Sequence, residues 1–92
     1  MKKYQEGIYD AVINRNNWFN NNTGITTANG ITTIVYYQTT IGIINHRNKT
    51  AEFTCGNWDT LTTRMRIYAA EEACKRLGYK FEPLNPKRYA NR

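Results

Sequence analysis

The sequence predicts an α+β fold: an N-terminal helix, a three- to four-stranded antiparallel β-meander, and a C-terminal helix packed on one sheet face. Three observations predict it. Apolar residues recur at three- and four-residue spacing near both ends of the chain. Between them lie runs of β-branched and aromatic residues separated by short polar connectors. The chain has 92 residues, 40% of them apolar, which suits one domain built around one core.

Residues 3–15 read as the first helix, with Tyr4, Ile8, Ala11 and Val12 on one side and Glu6 and Asp10 among the polar positions. Gly7 weakens this helix, because glycine has the most backbone freedom to lose. Residues 14–24 are rich in asparagine, which tolerates left-handed backbone, and read as a loop. Trp18 and Phe19 lie in its middle, either as a plug over the core edge or as an exposed stacking pair. Ile25–Ala28 and Ile31–Tyr37 then form strands joined by Asn29-Gly30, a strong two-residue hairpin signal. Gly-Ile-Thr-Thr occurs at both 24–27 and 30–33, too few copies for a solenoid. Two more strands follow, Ile41–His46 and Thr50–Cys55. Residues 61–78 form the second helix, with Asp59, Thr60 or Thr62 as N-cap and Gly78 as left-handed C-cap. Its expected buried stripe is Ile67, Ala70, Cys74 and Leu77, and Glu71–Lys75 and Glu72–Arg76 are expected as i,i+4 ion pairs. The domain is expected to span 1–82, with 83–92 a basic, solvated tail carrying Lys87, Arg88 and Arg92.

Register follows from the connectors. A three-residue loop at 47–49 sets His46 opposite Thr50, Ile44 opposite Glu52 and Ile43 opposite Phe53. Alternation then gathers Val35, Tyr37, Ile41, Ile43, Ala51, Phe53 and Cys55 on one face, expected to be the covered one. The opposite face carries Thr32, Ile34, Tyr36, Ile44, His46 and Glu52, and is expected to be open.

Composition excludes several chemistries. Serine is absent, which removes serine nucleophiles. One histidine, His46, and two cysteines, Cys55 and Cys74, fall on different elements at no metal-like spacing, so neither metal nor other cofactor is expected. Parity alone permits a Cys55–Cys74 disulfide, but a chain without a signal peptide or apolar span reads as cytoplasmic, with reduced thiols. The Asn-x-Thr sequons at Asn21 and Asn48 are then accidents of composition. The net charge is +6. Its surplus is concentrated from Arg64 to Arg92, which suits an anionic partner or simply a solvated basic end.

The densest local pattern is Gly56-Asn57-Trp58-Asp59-Thr60-Leu61-Thr62-Thr63-Arg64-Met65-Arg66-Ile67, at the start of the second helix. Threonine hydroxyls and free N–H groups at a helix start can hold an anion, the arginines can add charge, and Trp58 can stack. The plainer reading is a core tryptophan and a threonine-capped helix, with Asp59 pairing an arginine internally. Glycine, aromatic, Thr-x-Thr-Thr, a basic residue and Arg-Ile, following a strand pair with Tyr36-Tyr37 and Ile41–Ile44, resembles a motif of small bacteriophage proteins of uncharacterised function. The resemblance covers residues 31–68, and Asp59 departs from it. It implies a protein that acts by binding a host or defence component, anti-CRISPR proteins being among such proteins.

Three functions compete. The first is a non-enzymatic inhibitor docking stoichiometrically on a host or defence complex, with Ile34, Tyr36 and Ile44 as anchors and Arg64, Arg66, Lys87 and Arg88 supplying charge. The second is a single-stranded nucleic-acid or nucleotide binder using Trp58, Thr60, Thr62, Thr63, Arg64 and Arg66. An enzyme is the third, and scattered carboxylates with one histidine give it little support. A basic chain cannot act as a DNA mimic, so an inhibitor of this kind works by other contacts.

Overall fold

The computed structural model describes residues 1–57 and 59–84. Seven elements follow in order: α1 (Lys3–Asn14), β1 (Trp18–Asn20), β2 (Thr23–Ala28), β3 (Ile31–Tyr36), β4 (Thr39–Asn45), β5 (Thr50–Phe53) and α2 (Leu61–Leu77). The strands form one antiparallel sheet in the order β1-β2-β3-β4-β5, and both helices cover the same face of it. The α+β class, both helices and the meander are as the sequence predicts. The strand count is five, because the asparagine-rich segment read as a loop contains β1, paired as Trp18↔Ile25, Phe19↔Gly24 and Asn20↔Thr23. Asn21 and Asn22 both take positive φ, so the asparagines make the β1–β2 turn and leave the aromatics in the strand.

Asn29 and Gly30 are both at positive φ, and their turn pairs Ala28 with Ile31 as expected. The covered face is the reverse of the expected one along β3 and at Ile43 and Ile44, whereas Ile41, Ala51 and Cys55 are buried and Glu52 exposed as expected. Ile34, Tyr36 and Ile44 point to the helices, while Ile43 is 45% exposed. Two local features cause the reversal. The register between β3 and β4 shifts at Ile34/Val35, so Ile34 faces Gly42 and Val35 faces Thr40, leaving Ile41 as the extra residue of a bulge. Asn45, not His46, faces Thr50, and Ile44 faces Ala51. Asn45 Oδ1 accepts from the N–H groups of Arg47 and Asn48, which closes a four-residue turn and sends His46 inward. The bulge brings both Ile41 and Ile44 into the core.

Ile8 and Val12 of α1, Ile67, Ala70 and Cys74 of α2, and Ile25, Ile34, Ile41 and Ile44 of the sheet make that core. The stripe of α2 is wider than expected, extending to Ala69 and Ala73, because this helix packs on α1 as well as on the sheet. Gly7 has a reason to be glycine: a Cβ there would lie 2.5 Å from the Trp18 ring. Thr60 is the N-cap of α2, and Gly78 closes it at φ 77°. Neither expected i,i+4 ion pair forms. Lys75 pairs with Glu72 one turn back, and Glu71 instead accepts the backbone N–H of Leu84 at 3.0 Å. Cys55 and Cys74 are both buried and are not joined to each other as a disulfide, and burial pushes the Cys74 thiol up to about 12. No helix among the described residues is long and apolar enough to cross a membrane.

Candidate functional site

The start of α2 does structural work. Thr60 Oγ1 accepts the Thr63 N–H at 3.3 Å and lies 2.9 Å from Thr63 Oγ1 and 3.1 Å from Thr62 Oγ1. The three hydroxyls therefore cap the helix and one another. Asp59 receives the Arg64 guanidinium in a two-pronged pair, Nε at 2.6 Å and Nη2 at 3.2 Å. That hydrogen bond pushes the Arg64 pKa up against the opposing effect of burial. Arg64 Nη1 is buried without an acceptor, the one such side-chain atom among the described residues. Trp58, Lys87 and Arg88 lie outside the described residues.

Arg66 is committed inside the fold. Its Nε donates to Thr23 Oγ1 at 2.7 Å, Nη1 to the Thr62 carbonyl at 3.0 Å, and Nη2 to the Asn21 carbonyl at 3.3 Å. Its guanidinium sits over the Tyr4 ring at 4.6 Å and the Tyr36 ring at 4.1 Å. One buried cation thus ties α1, α2, β3 and the β1–β2 turn together.

These positions correct the expected anchors. Ile34, Tyr36 and Ile44 are core residues under the helices, and Arg64 and Arg66 are buried beside them. Of the expected open face, Thr32, Ile34, Tyr36, Ile44 and His46 are covered, so neither the apolar anchors nor the two arginines present a docking surface.

Among the described residues, the two most exposed rings lie toward one end of the sheet, where the β1–β2 and β3–β4 turns meet. Tyr37 N–H donates to the Asn22 carbonyl at 2.8 Å, which locks the two turns together. Tyr37 sits in the left-handed region at φ 57°, a costly conformation for a bulky side chain. In this conformation its ring is 61% exposed, tilted against Tyr36 at a centroid distance of 4.8 Å. On β1, Phe19 is 76% exposed on the helix-free face, where its ring lies over Gly24 with Cδ2 3.5 Å from the position of a Cβ. Asn22, Tyr36, Tyr37, Gln38 and Thr39 line an open hollow of about 750 Å³ at this end. Among the described residues its lining holds amides, hydroxyls and rings but no charged side chain. The Trp18–Phe19 pair divides: Trp18 covers Gly7 on the helix side, as the plug reading expects, and Phe19 is the exposed ring. Alternation within Trp18-Phe19-Asn20 was the available signal, and the asparagines around it hid the strand.

Residues 1–84 match the family model described as the Kyanoviridae Gp96 protein. The chain belongs to that family. Membership makes it a small phage protein, in keeping with the resemblance carried by Tyr36-Tyr37 and the segment from Gly56. No curated protein and no solved structure matches the chain. For this Gp96 family member the chemistry of the site must therefore be read from its residues. Among those described, no three His, Cys, Asp or Glu side chains gather as a metal would need. The single histidine is held in a buried chain of hydrogen bonds: Thr27 Oγ1 to Thr32 Oγ1 at 2.6 Å, Thr32 Oγ1 to His46 Nε2 at 2.7 Å, and His46 Nδ1 to Tyr79 OH at 2.8 Å. Burial first, and the Arg15 charge second, hold its imidazole below the ordinary range.

Proposed function

We propose that this Gp96 family protein is a non-enzymatic binding protein that docks stoichiometrically on a host or defence protein complex in the host cytoplasm, as an anti-CRISPR-like inhibitor would. The observation that supports this reading is the presence of two highly exposed aromatic rings near one end of the sheet, Phe19 on β1 and Tyr37 on the β3–β4 turn, among side-chain amides. Rigid aromatics supply contact area at low entropic cost, and asparagine and glutamine add adaptable hydrogen bonds, the composition of a protein-recognition surface. Both rings are held by the backbone: Phe19 by its strand, and Tyr37 by the turn-to-turn hydrogen bond. Membership in a phage family is in keeping with a target in the infected cell.

The nucleic-acid reading keeps support from the +6 charge. It loses the residues first expected to carry it, since Arg64, Arg66 and the three threonines are occupied internally. Affinity capture from lysate of infected host cells, with and without nuclease, tests the choice. A discrete protein that survives nuclease and disappears with Phe19→Ala/Tyr37→Ala is expected. Capture of nuclease-sensitive material alone, unaffected by that double substitution, would overturn the reading.

A further inference from the structure

We propose that the free edge of β1 accepts an extended, carboxylate-bearing strand from a protein partner, which joins the sheet beside Phe19. The proposal rests on the docking reading above and names the form of its contact.

The sheet has two edges, and one is already closed. Ala51 N–H donates to the Lys80 carbonyl at 2.9 Å, and Lys80 N–H donates to the Lys49 carbonyl at 2.9 Å. Residues 79–81 thereby cover β5, with Thr50 and Lys80 in a parallel bridge. Among the described residues nothing pairs in this way with the outer side of β1.

Hairpin parity shows what that side offers. The two-residue turn at Asn29-Gly30 makes Ala28↔Ile31 a hydrogen-bonded pair, so Thr26 and Gly24 also bond toward β3. Thr23, Ile25 and Thr27 then bond the other way, consistent with Thr27 N–H donating to Asn17 Oδ1 at 2.9 Å. Trp18 and Asn20 therefore use their backbone groups on β2. Phe19 turns its N–H and C=O outward. An added strand would exchange both hydrogen bonds with Phe19, the geometry of β-augmentation.

Side chains of the added strand would alternate between two environments. The residue opposite Phe19 points to the helix-free face, beside the 76% exposed phenyl ring. Its neighbours point to the helix side, into a hollow of about 400 Å³ lined by Lys3, Tyr4, Trp18, Asn20 and Asn21. Among the described residues Lys3 is the only charged side chain lining it, and no carboxylate does so. An apolar residue between two acidic ones fits both environments: the ring meets the first, and Lys3 with the asparagine amides meets the others.

The probe is acetyl-Val-Glu-Val-Glu-Val-Glu-Val amide, with the lysine-for-glutamate peptide as its counterpart, titrated against the full chain by NMR. The acidic probe is expected to bind at least about tenfold more tightly than the lysine probe, and to shift and slow exchange of the Phe19 amide. Phe19→Pro removes that N–H at a position the fold does not use, and is expected to weaken binding at least about fivefold beyond Phe19→Ala, which keeps it. Lys3→Glu is expected to reverse the probe preference. Lys75→Glu, an equal charge change on α2, is expected to leave the preference in place. Absence of binding at millimolar probe, an unaltered Phe19 amide, self-pairing of two copies through β1, or equal losses from Lys3→Glu and Lys75→Glu would overturn the proposal. Should Phe19→Pro fail to fold, the amide and lysine arms still decide. If the probe fails while lysate capture still depends on Phe19 and Tyr37, strand addition falls and docking stands. If capture fails as well, both fall.

Discussion

Tyr36 and Tyr37 are neighbours in the chain with opposite fates. Tyr36 is 9% exposed, its ring under the Arg66 guanidinium, while Tyr37 is 61% exposed on a left-handed turn residue. The same contrast separates the two faces of the sheet. One is sealed by both helices and cross-tied by a buried cation, and the other bears Phe19 and Ile43 without cover. Residue type does not assign the role. Arginine, usually a surface charge, is here an internal tie at Arg66, and phenylalanine, usually core, is at Phe19 the most exposed large hydrophobic among the described residues. The covered face carries stability, and the proposed recognition falls to the turn end.

The largest effects test the covered face. Ile44→Ala is expected to lower unfolding free energy by about 2–5 kcal/mol in chemical denaturation, as for a fully buried aliphatic side chain. Ile43→Ala, one residue away and 45% exposed, is expected to cost within about 0.5 kcal/mol. Similar losses from both would mean that the bulge does not set which isoleucines are inside. Arg66→Ala removes a guanidinium that serves three acceptors and two rings, and an expected loss of about 2–4 kcal/mol follows from leaving Thr23 and the Thr62 and Asn21 carbonyls unsatisfied. An Arg66→Ala protein as stable as wild type would break the account of the internal tie.

Gly7→Ala sharpens the contrast by sign. Helix propensity alone favours alanine by about 1 kcal/mol. The Trp18 ring occupies the Cβ position, so net destabilisation is expected in thermal melts. A more stable variant would show that Trp18 is not seated there.

A smaller effect concerns pH. The folded pKa of His46 lies below its ordinary value of 6.5, through burial first and Arg15 second. As pH falls past 6.5 the unfolded chain takes up the proton before the folded one does, so this contribution to stability is present above that pH and is lost on acidification through the folded value. Denaturation midpoints are expected to fall between pH 7 and about 5, and less so in His46→Gln. Identical profiles for the two would remove His46 as the cause.

Much of the fold was legible because local and tertiary preferences agree there. Asn29-Gly30 has one good solution, as does Gly78 behind Lys75 and Arg76, and Thr60 caps α2 whatever packs on it. The covered face was not legible from alternation. Ile41, Ile43 and Ile44 occupy both parities, so a strict period of two must exclude one wrongly, and it excluded Ile44. Gly42 was the available clue, since an isolated glycine within a strand marks a bulge or a close approach. Here a Cβ would lie 3.0 Å from the Phe53 ring. The one-residue slip between β4 and β5 came from Asn45, whose side chain builds the turn that a count of polar residues starts one position later. Of the candidate site, the internal Asp59–Arg64 pair and the exposed member of Trp18–Phe19 were within reach of the sequence. Tyr37 was not, because its exposure follows from a left-handed turn that few tyrosines adopt.

The most direct test compares Tyr36→Ala with Tyr37→Ala, measuring chemical denaturation and lysate capture on each. Tyr36→Ala is expected to lose about 2–4 kcal/mol of stability, as for a buried aromatic partly relieved by its site at the core edge. Tyr37→Ala is expected to unfold within about 0.5 kcal/mol of wild type and to lose the captured protein. A Tyr37→Ala protein that captures as wild type does, or a Tyr36→Ala protein that is as stable as wild type, would contradict the division between a covered, stabilising face and an exposed, recognising end.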